Sequence, residues 1–237
     1  MVNPEAFLNH GTEVLNYLTE RFKLLENSNI KPDLKPGDLA ANFSSNAPEQ
    51  PQEFASLMND LENKIMPGVT HWQHPRFLSY YPATSSLPAM LSELIIASIG
   101  SVGLQWSANP IGTELECVVM DWMAKMLHAA DDSPFLHTSG LGGGLIQNTA
   151  GEALVVIMTS ARIHKHLQLN NVETMESLPV DEQEAIFYQD SSKFVLYMSD
   201  QTHFSGPKAA RVAGIRVRTL KAKILADGNY GIDSEQV

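Results

Sequence analysis

The segment Gly140-Leu141-Gly142-Gly143-Gly144-Leu145-Ile146-Gln147-Asn148-Thr149-Ala150-Gly151-Glu152 feeds a glycine-rich turn into small and hydroxyl-bearing residues. That order suits the start of a helix, where the first N–H groups are unpaired and the helix dipole is positive. Such a terminus binds phosphate. Thr149 adds a hydroxyl donor, and Ala150 and Gly151 let the backbone approach a ligand closely. Two familiar phosphate patterns do not fit. Counted from Gly140, G-x-G-x-x-G needs a glycine where Leu145 stands, and G-K-[ST] does not occur. On its residues alone, the segment is either a phosphate cradle or a flexible loop with an ordinary helix cap.

A second group follows the apolar run Phe194–Met198, which reads as a buried strand. The run leads straight into Ser199, Asp200 and His203. In open α/β sheets ligands sit beyond the carboxyl ends of strands. A histidine there can stack on a ring or move a proton, or it can simply bond to its own loop. His71 and His74 are three residues apart, but no carboxylate or cysteine stands near them at ligand spacing, so no metal site is expected. Trp72, Phe77, Tyr80 and Tyr81 are either walls of an aromatic pocket or core residues.

These groups need elements to hold them. Residues 4–26 place Phe7, Val14, Leu18, Phe22 and Leu25 on one stripe and read as an amphipathic helix. A Pro-, Asn- and Ser-rich connection follows, then a second helix with Phe54, Leu57, Met58, Leu61 and Ile65 on one face, ending near Pro67-Gly68. Pro88–Ile99 reads as an apolar helix closed by Gly100. Asn109-Pro110 starts another, whose apolar face is Leu115, Val118, Val119, Trp122 and Met126. A long helix is expected over 151–168, a short one in SGPKAARVAG and a strand in IRVRTLKA. Alternating helices and strands predict an α/β layer structure. Asp233 and Gln236 are spaced like a capping box, so a further helix is expected to begin there.

The chain has 237 residues and a formal net charge of −11, which argues against a nucleic-acid partner. Cys117 is the only cysteine, so no intrachain disulfide forms, as suits a reducing compartment. The first residues carry neither a basic nor an apolar signal region, and no run approaches the ~20 apolar residues of a membrane span. A cytoplasmic location without membrane attachment is expected.

Three segments together, MPGVTHWQHPRFLSYYPATSSLPAML, GLQWSANPIGTELECVVMDWMAKML and GGGLIQNTAGEA, resemble the group II pyridoxal-phosphate-dependent decarboxylases. The similarity is to the branch acting on aromatic L-amino acids, DOPA and tyrosine. SDQTHFSGPKAARVAGI and the opening with KPDLKPGDL match as well, so the resemblance is collinear over essentially the whole chain.

The resemblance implies a fold-type I α/β architecture. A helical dimer-embracing segment over 1–84 would precede the N-terminal part of the cofactor-binding large domain over 85–237. It implies pyridoxal 5'-phosphate as cofactor, a homodimer, and an L-amino acid, aromatic in this branch, converted to its amine and CO₂. A decarboxylase of histidine or another amino acid and a short non-catalytic dimerising relative are the alternatives. By the same resemblance Thr149, Ala150 and Gly151 cradle the phosphate, and His203 stacks on the pyridine ring and takes part in protonation. Trp72, Tyr80, Tyr81, Pro82 and Ala83 form a substrate-pocket loop, while Val102 and Leu104 line the neighbouring subunit's pocket. The family usually has serine at the Gly151 position, threonine at Ala83 (here Thr84 follows) and often phenylalanine at Leu104. The family's cofactor-bearing lysine and its pyridine-binding aspartate are expected beyond residue 237, so the chain by itself is expected to be inactive.

Overall fold

In the computed structural model the chain forms two compact units, Met1–Ser101 and Val102–Val237. The structure describes residues 2–83, 85–189 and 193–232. Thr84 and the expected helix start at Asp233 and Gln236 lie outside the described residues.

Helix α1 of the first unit spans Pro4–Leu24. Asn3 starts it: its side-chain oxygen accepts from the N–H groups of Glu5 and Ala6 at 3.0 and 3.2 Å, and Pro4 occupies a position that needs no donor. Helix α2, Phe54–Asp60, continues through a π turn at Leu61–Ile65. The two are tied by Glu62, which accepts the Tyr17 hydroxyl at 2.6 Å and pairs with Arg21 at 3.6 Å. Burial and the Glu62 carboxylate push the Tyr17 phenol up to about 12. Helix α3, Leu87–Ile99, is capped by Ser86 and, as the sequence predicts, closed by Gly100, here in the left-handed conformation (φ 62°). The α1 stripe and α3 line an apolar groove of about 780 Å³, and neither helix has a buried residue.

Helix α4 of the second unit spans Pro110–Met126, with Asn109 as its cap. Helix α5 spans Ala150–Asn170 and α6 Val180–Gln189; the sequence reading did not anticipate α6. Strand β1, Val195–Ser199, leads through helix α7, Ser205–Val212, to strand β2, Arg216–Leu220. The two strands pair in parallel with Val195 opposite Arg216 and Ser199 opposite Leu220, a β-α-β unit of the kind expected. A small antiparallel hairpin of β3, Ala222–Ile224, and β4, Tyr230–Ile232, follows.

The core of this unit is Met158 from α5, Met198 from β1 and Ala209, Ala210 and Ala213 in and after α7. Small residues on α7 let it lie close to the strand: a Cβ on Gly206 would sit 2.9 Å from Thr202 and 3.2 Å from the Met198 sulfur. The buried Arg162 guanidinium donates to the carbonyl of Ala213 at 2.6 Å, tying α5 to the end of α7.

Of the expected apolar face of α4, Leu115, Val118, Trp122 and Met126 are exposed and Val119 is half-buried, while the packed side carries Glu116, Met120 and Asp121. The physical reason lies in the segment 134–146, whose backbone N–H groups need acceptors. Two carboxylates on α4 supply them, and the glycine loop docks on that side.

Candidate functional site

Thr149 is the N-cap of α5. Its hydroxyl oxygen accepts the Glu152 N–H and the Glu152 carboxylate accepts the Thr149 N–H, both at 3.1 Å, forming a complete capping box. Glu152 is thereby satisfied, while the N–H groups of Ala150 and Gly151 in the first turn have no intrahelical acceptor. These two donors, the Thr149 hydroxyl hydrogen and the positive helix end form a donor set that suits a phosphate. Thr149 and Ala150 are exposed, and a Cβ on Gly151 would meet only the Thr149 oxygen, at 3.7 Å. The cradle has room for an anion, and its donors fit the phosphate of pyridoxal 5'-phosphate.

The glycines before it are not free. A Cβ on Gly142 would lie 2.6 Å from the Pro134 carbonyl oxygen, one on Gly144 would lie 2.7 Å from Met120, and one on Gly143 would overlap the His137 ring. The His137 Nε2–H donates to the Gly144 carbonyl at 2.6 Å, and Glu116 accepts the Ile146 N–H at 2.7 Å. The His137 and Thr138 N–H groups donate to the buried Asp121 carboxylate at 2.7 and 3.2 Å. Burial alone would raise the Asp121 pKa. The hydrogen bonds from His137 and Thr138 outweigh it and hold this carboxyl below the usual range. Of the two alternatives the sequence left open, a flexible loop does not describe this segment, which is closely fitted to α4.

His203 lies just past the carboxyl end of β1 and is exposed. Its loop is pinned by Asp200, whose N–H donates to the Leu220 carbonyl at 2.9 Å and whose carboxylate accepts the Ala222 N–H at 3.0 Å. That N–H, with Gln201 and Lys221, keeps Asp200 below the ordinary carboxylate range. The imidazole Nδ1 faces Ser205, 2.9 Å from its hydroxyl and 3.3 Å from its N–H, and the ring lies 4.4 Å from that of Phe204. A ring face and the Nε2 edge remain available. Thr149–Gly151 and His203 thus extend from elements that share the Met158–Met198 core.

The remaining expected residues divide between the units. In the first unit Trp72 packs at 4.7 Å from Phe77, stacks at 5.5 Å on Tyr80 and meets Tyr81 at 5.4 Å. Tyr80 holds φ +60° and is exposed. Gln73 staples this loop by donating to the Ala83 carbonyl at 2.6 Å and accepting the Ser85 N–H at 3.1 Å. Trp72 also lines a cavity of about 320 Å³ with Tyr17, Arg21, Phe22 and His71, whereas Tyr80, Tyr81, Pro82 and Ala83 do not reach it. Burial, with Arg21 and His74 nearby, keeps His71 below its usual pKa. Among the described residues no cluster of three His, Cys, Asp or Glu side chains could hold a metal. Val102 and Leu104 belong to the second unit and are exposed.

Sequence reasoning missed Gln73, Glu116, Asp121, His137 and Ser205. Asp121 left one signal, a carboxylate between Val118 and Trp122 within a largely apolar helix.

The conserved domain of pyridoxal-dependent decarboxylases matches residues 36–228. The aromatic-L-amino-acid decarboxylase of Bos taurus is 37% identical over 98% of this chain and 45% of its own length. The histidine decarboxylase of Homo sapiens is 34% identical over 99% of this chain and 34% of its own. The crystal structure of Oryza sativa TDC with PLP and tryptamine superposes with a TM-score of 0.81 at 27% identity, over 99% of this chain and 47% of that one. The chain thus spans less than half the length of these relatives. The α/β fold is that of the pyridoxal-phosphate-dependent decarboxylases, and the chain belongs to the pyridoxal-dependent decarboxylase family.

Proposed function

We propose that this chain serves the pyridoxal-phosphate-dependent decarboxylation of an aromatic L-amino acid, acting as a homodimer in the cytoplasm. The observation that carries this reading is the second unit's pairing of an open helix N-terminus at Thr149–Gly151 with an exposed His203 on the same core. It is supported by the bovine aromatic-amino-acid relative and by the rice structure with PLP and tryptamine. The domain division proposed with it assigns 1–84 to dimer contacts and 85–237 to the cofactor domain.

In this reading Thr149, Ala150 and Gly151 hold the cofactor phosphate through the Thr149 hydroxyl and the two open N–H groups. The exposed His203 ring would contact the cofactor ring and steady it. When bound, the cofactor supplies the electron sink for the pair released as the carboxylate leaves as CO₂. His203 holds a proton at Nε2 for delivery to the substrate carbon. Ser205 presents both donors and an acceptor to Nδ1, so it can steady the ring in either protonation state. The aromatic loop of Trp72, Tyr80, Tyr81, Pro82 and Ala83 supplies walls for a planar side chain, and Val102 and Leu104 are assigned to the pocket of the neighbouring subunit. Apolar walls of that kind favour aromatic substrates.

The human histidine decarboxylase relative favours a second reading, with histidine as substrate. One experiment decides. Full-length protein with pyridoxal 5'-phosphate is assayed for CO₂ and amine from DOPA, tyrosine, tryptophan and histidine. Turnover of an aromatic substrate is expected. Turnover of histidine alone moves the assignment to the second reading, and no amine from any of the four overturns both.

A further inference from the structure

Helix α4 presents Glu116, Met120 and Asp121 on its packed side, and each meets the segment that runs into α5. Asp121 is buried and accepts two backbone N–H groups, from His137 and Thr138. The backbone of His137 is thereby fixed, and its ring is set against the glycine loop. A carbonyl can only accept, so the 2.6 Å contact to Gly144 requires a hydrogen on the His137 Nε2. The ring also occupies the space that a Cβ at Gly143 would take. Beyond Gly144 the chain is tied once more, by Glu116 to the Ile146 N–H, before it reaches Thr149.

We propose that His137, held by Asp121, is a positioning residue for the phosphate cradle: its imidazole clamps the Gly144 carbonyl and so sets where Thr149–Gly151 stand. The inference rests on the cofactor reading above and adds to it a support that does not touch the ligand. A helix N-terminus binds an anion through donors aimed at one point, and small displacements of those donors weaken every bond at once. The clamp thus acts on the phosphate and leaves the ring contacts of His203 alone.

The test compares two probes that differ only in the phosphate, pyridoxal 5'-phosphate and pyridoxal. Each is titrated by absorbance into cofactor-free full-length protein. His137→Leu fills similar space without a donor, and His137→Gln restores an N–H near the Nε2 position. His137→Leu is expected to reduce the preference for pyridoxal 5'-phosphate over pyridoxal about three- to tenfold, the worth of one net hydrogen bond. His137→Gln is expected to stay within about twofold of the wild type, and pyridoxal affinity to stay unchanged in both. Thermal unfolding establishes that the variants fold. If the leucine variant does not, Asp121→Asn replaces it, with the same loss of preference expected. A wild-type preference retained without the clamp overturns the inference, as does an equal loss for both probes. Thr149→Ala separates the two levels. If it lowers the preference and the clamp variant does not, the clamp alone is wrong; if the wild type shows no preference, the cradle reading fails with it.

Discussion

Ser205 holds the ring of His203 from the Nδ1 side, with its hydroxyl at 2.9 Å and its N–H at 3.3 Å. Two descriptions of this histidine, as a loop-bonding residue and as a proton-moving one, therefore use different nitrogens. Nδ1 serves the loop and leaves Nε2 for chemistry. His203→Ala removes the stacking surface and the acid–base group while leaving the capping box of Thr149 intact. It is expected to lower kcat of the full-length protein by about 10²–10⁴-fold, the range for general acid–base groups. Ser205→Ala, which only loosens the ring, is expected to lower kcat by about tenfold or less. Steady-state kinetics on variants with native circular dichroism checks both, and a His203→Ala kcat within about threefold of wild type would contradict the proton-transfer role.

Thr149→Ala deletes half of a capping box and is expected to destabilise the fold by about 1 kcal/mol. It is also expected to weaken pyridoxal 5'-phosphate binding. Gly151→Ser should do the opposite: the nearest atom to the new Cβ is 3.7 Å away, so the serine is accommodated and contributes a hydroxyl to the cradle. Thermal melts and cofactor titrations, run side by side, read both effects. A serine variant that melts well below the wild type would show that the turn is tighter than its geometry indicates.

Asp121 links acid stability to the glycine loop. Its carboxyl is held below the usual range, so the folded state binds its proton less readily than the unfolded chain. Its stabilisation is complete above the unfolded carboxylate pKa of about 3.9 and is lost as pH falls through the lower folded value. Asp121→Asn removes this dependence. Urea unfolding from pH 7 down through the acid range should therefore fall less steeply with acid for the variant than for the wild type. Parallel curves would rule out Asp121 as a contributor.

The groove between α1 and α3 is expected to be covered by a second copy of the chain. Phe7 and Phe22 are each about half exposed on the α1 stripe, and α3 has no buried residue although it is apolar on most sides. Apolar surfaces of this extent exceed what soluble monomers normally present. Sedimentation of the full-length protein is expected to give a dimer, and Phe7→Glu to weaken it more than tenfold by burying an unpaired charge. A stable, active wild-type monomer would end the idea.

Local signals in the chain determined most of the secondary structure. Asn3-Pro4, Ser86 with Pro88, and Asn109-Pro110 start helices because their side chains or rings satisfy the first turn, and all three do so here. Gly100 ends α3 because only a residue without a Cβ takes that conformation cheaply. The capping pattern at Thr149 and the strand before His203 were likewise legible, since both depend on near neighbours. Tertiary structure alone decided what α4 packs against. Its apolar stripe pointed one way, but the unpaired N–H groups of His137, Thr138 and Ile146 required acceptors, and Asp121 and Glu116 lie on the other side. The same holds for the glycine loop. Glycines read as freedom in a sequence, yet Gly142, Gly143 and Gly144 are there because Pro134, His137 and Met120 leave no space for a side chain. Those partners lie 6 to 24 residues away, and no local pattern encodes a contact that only packing creates.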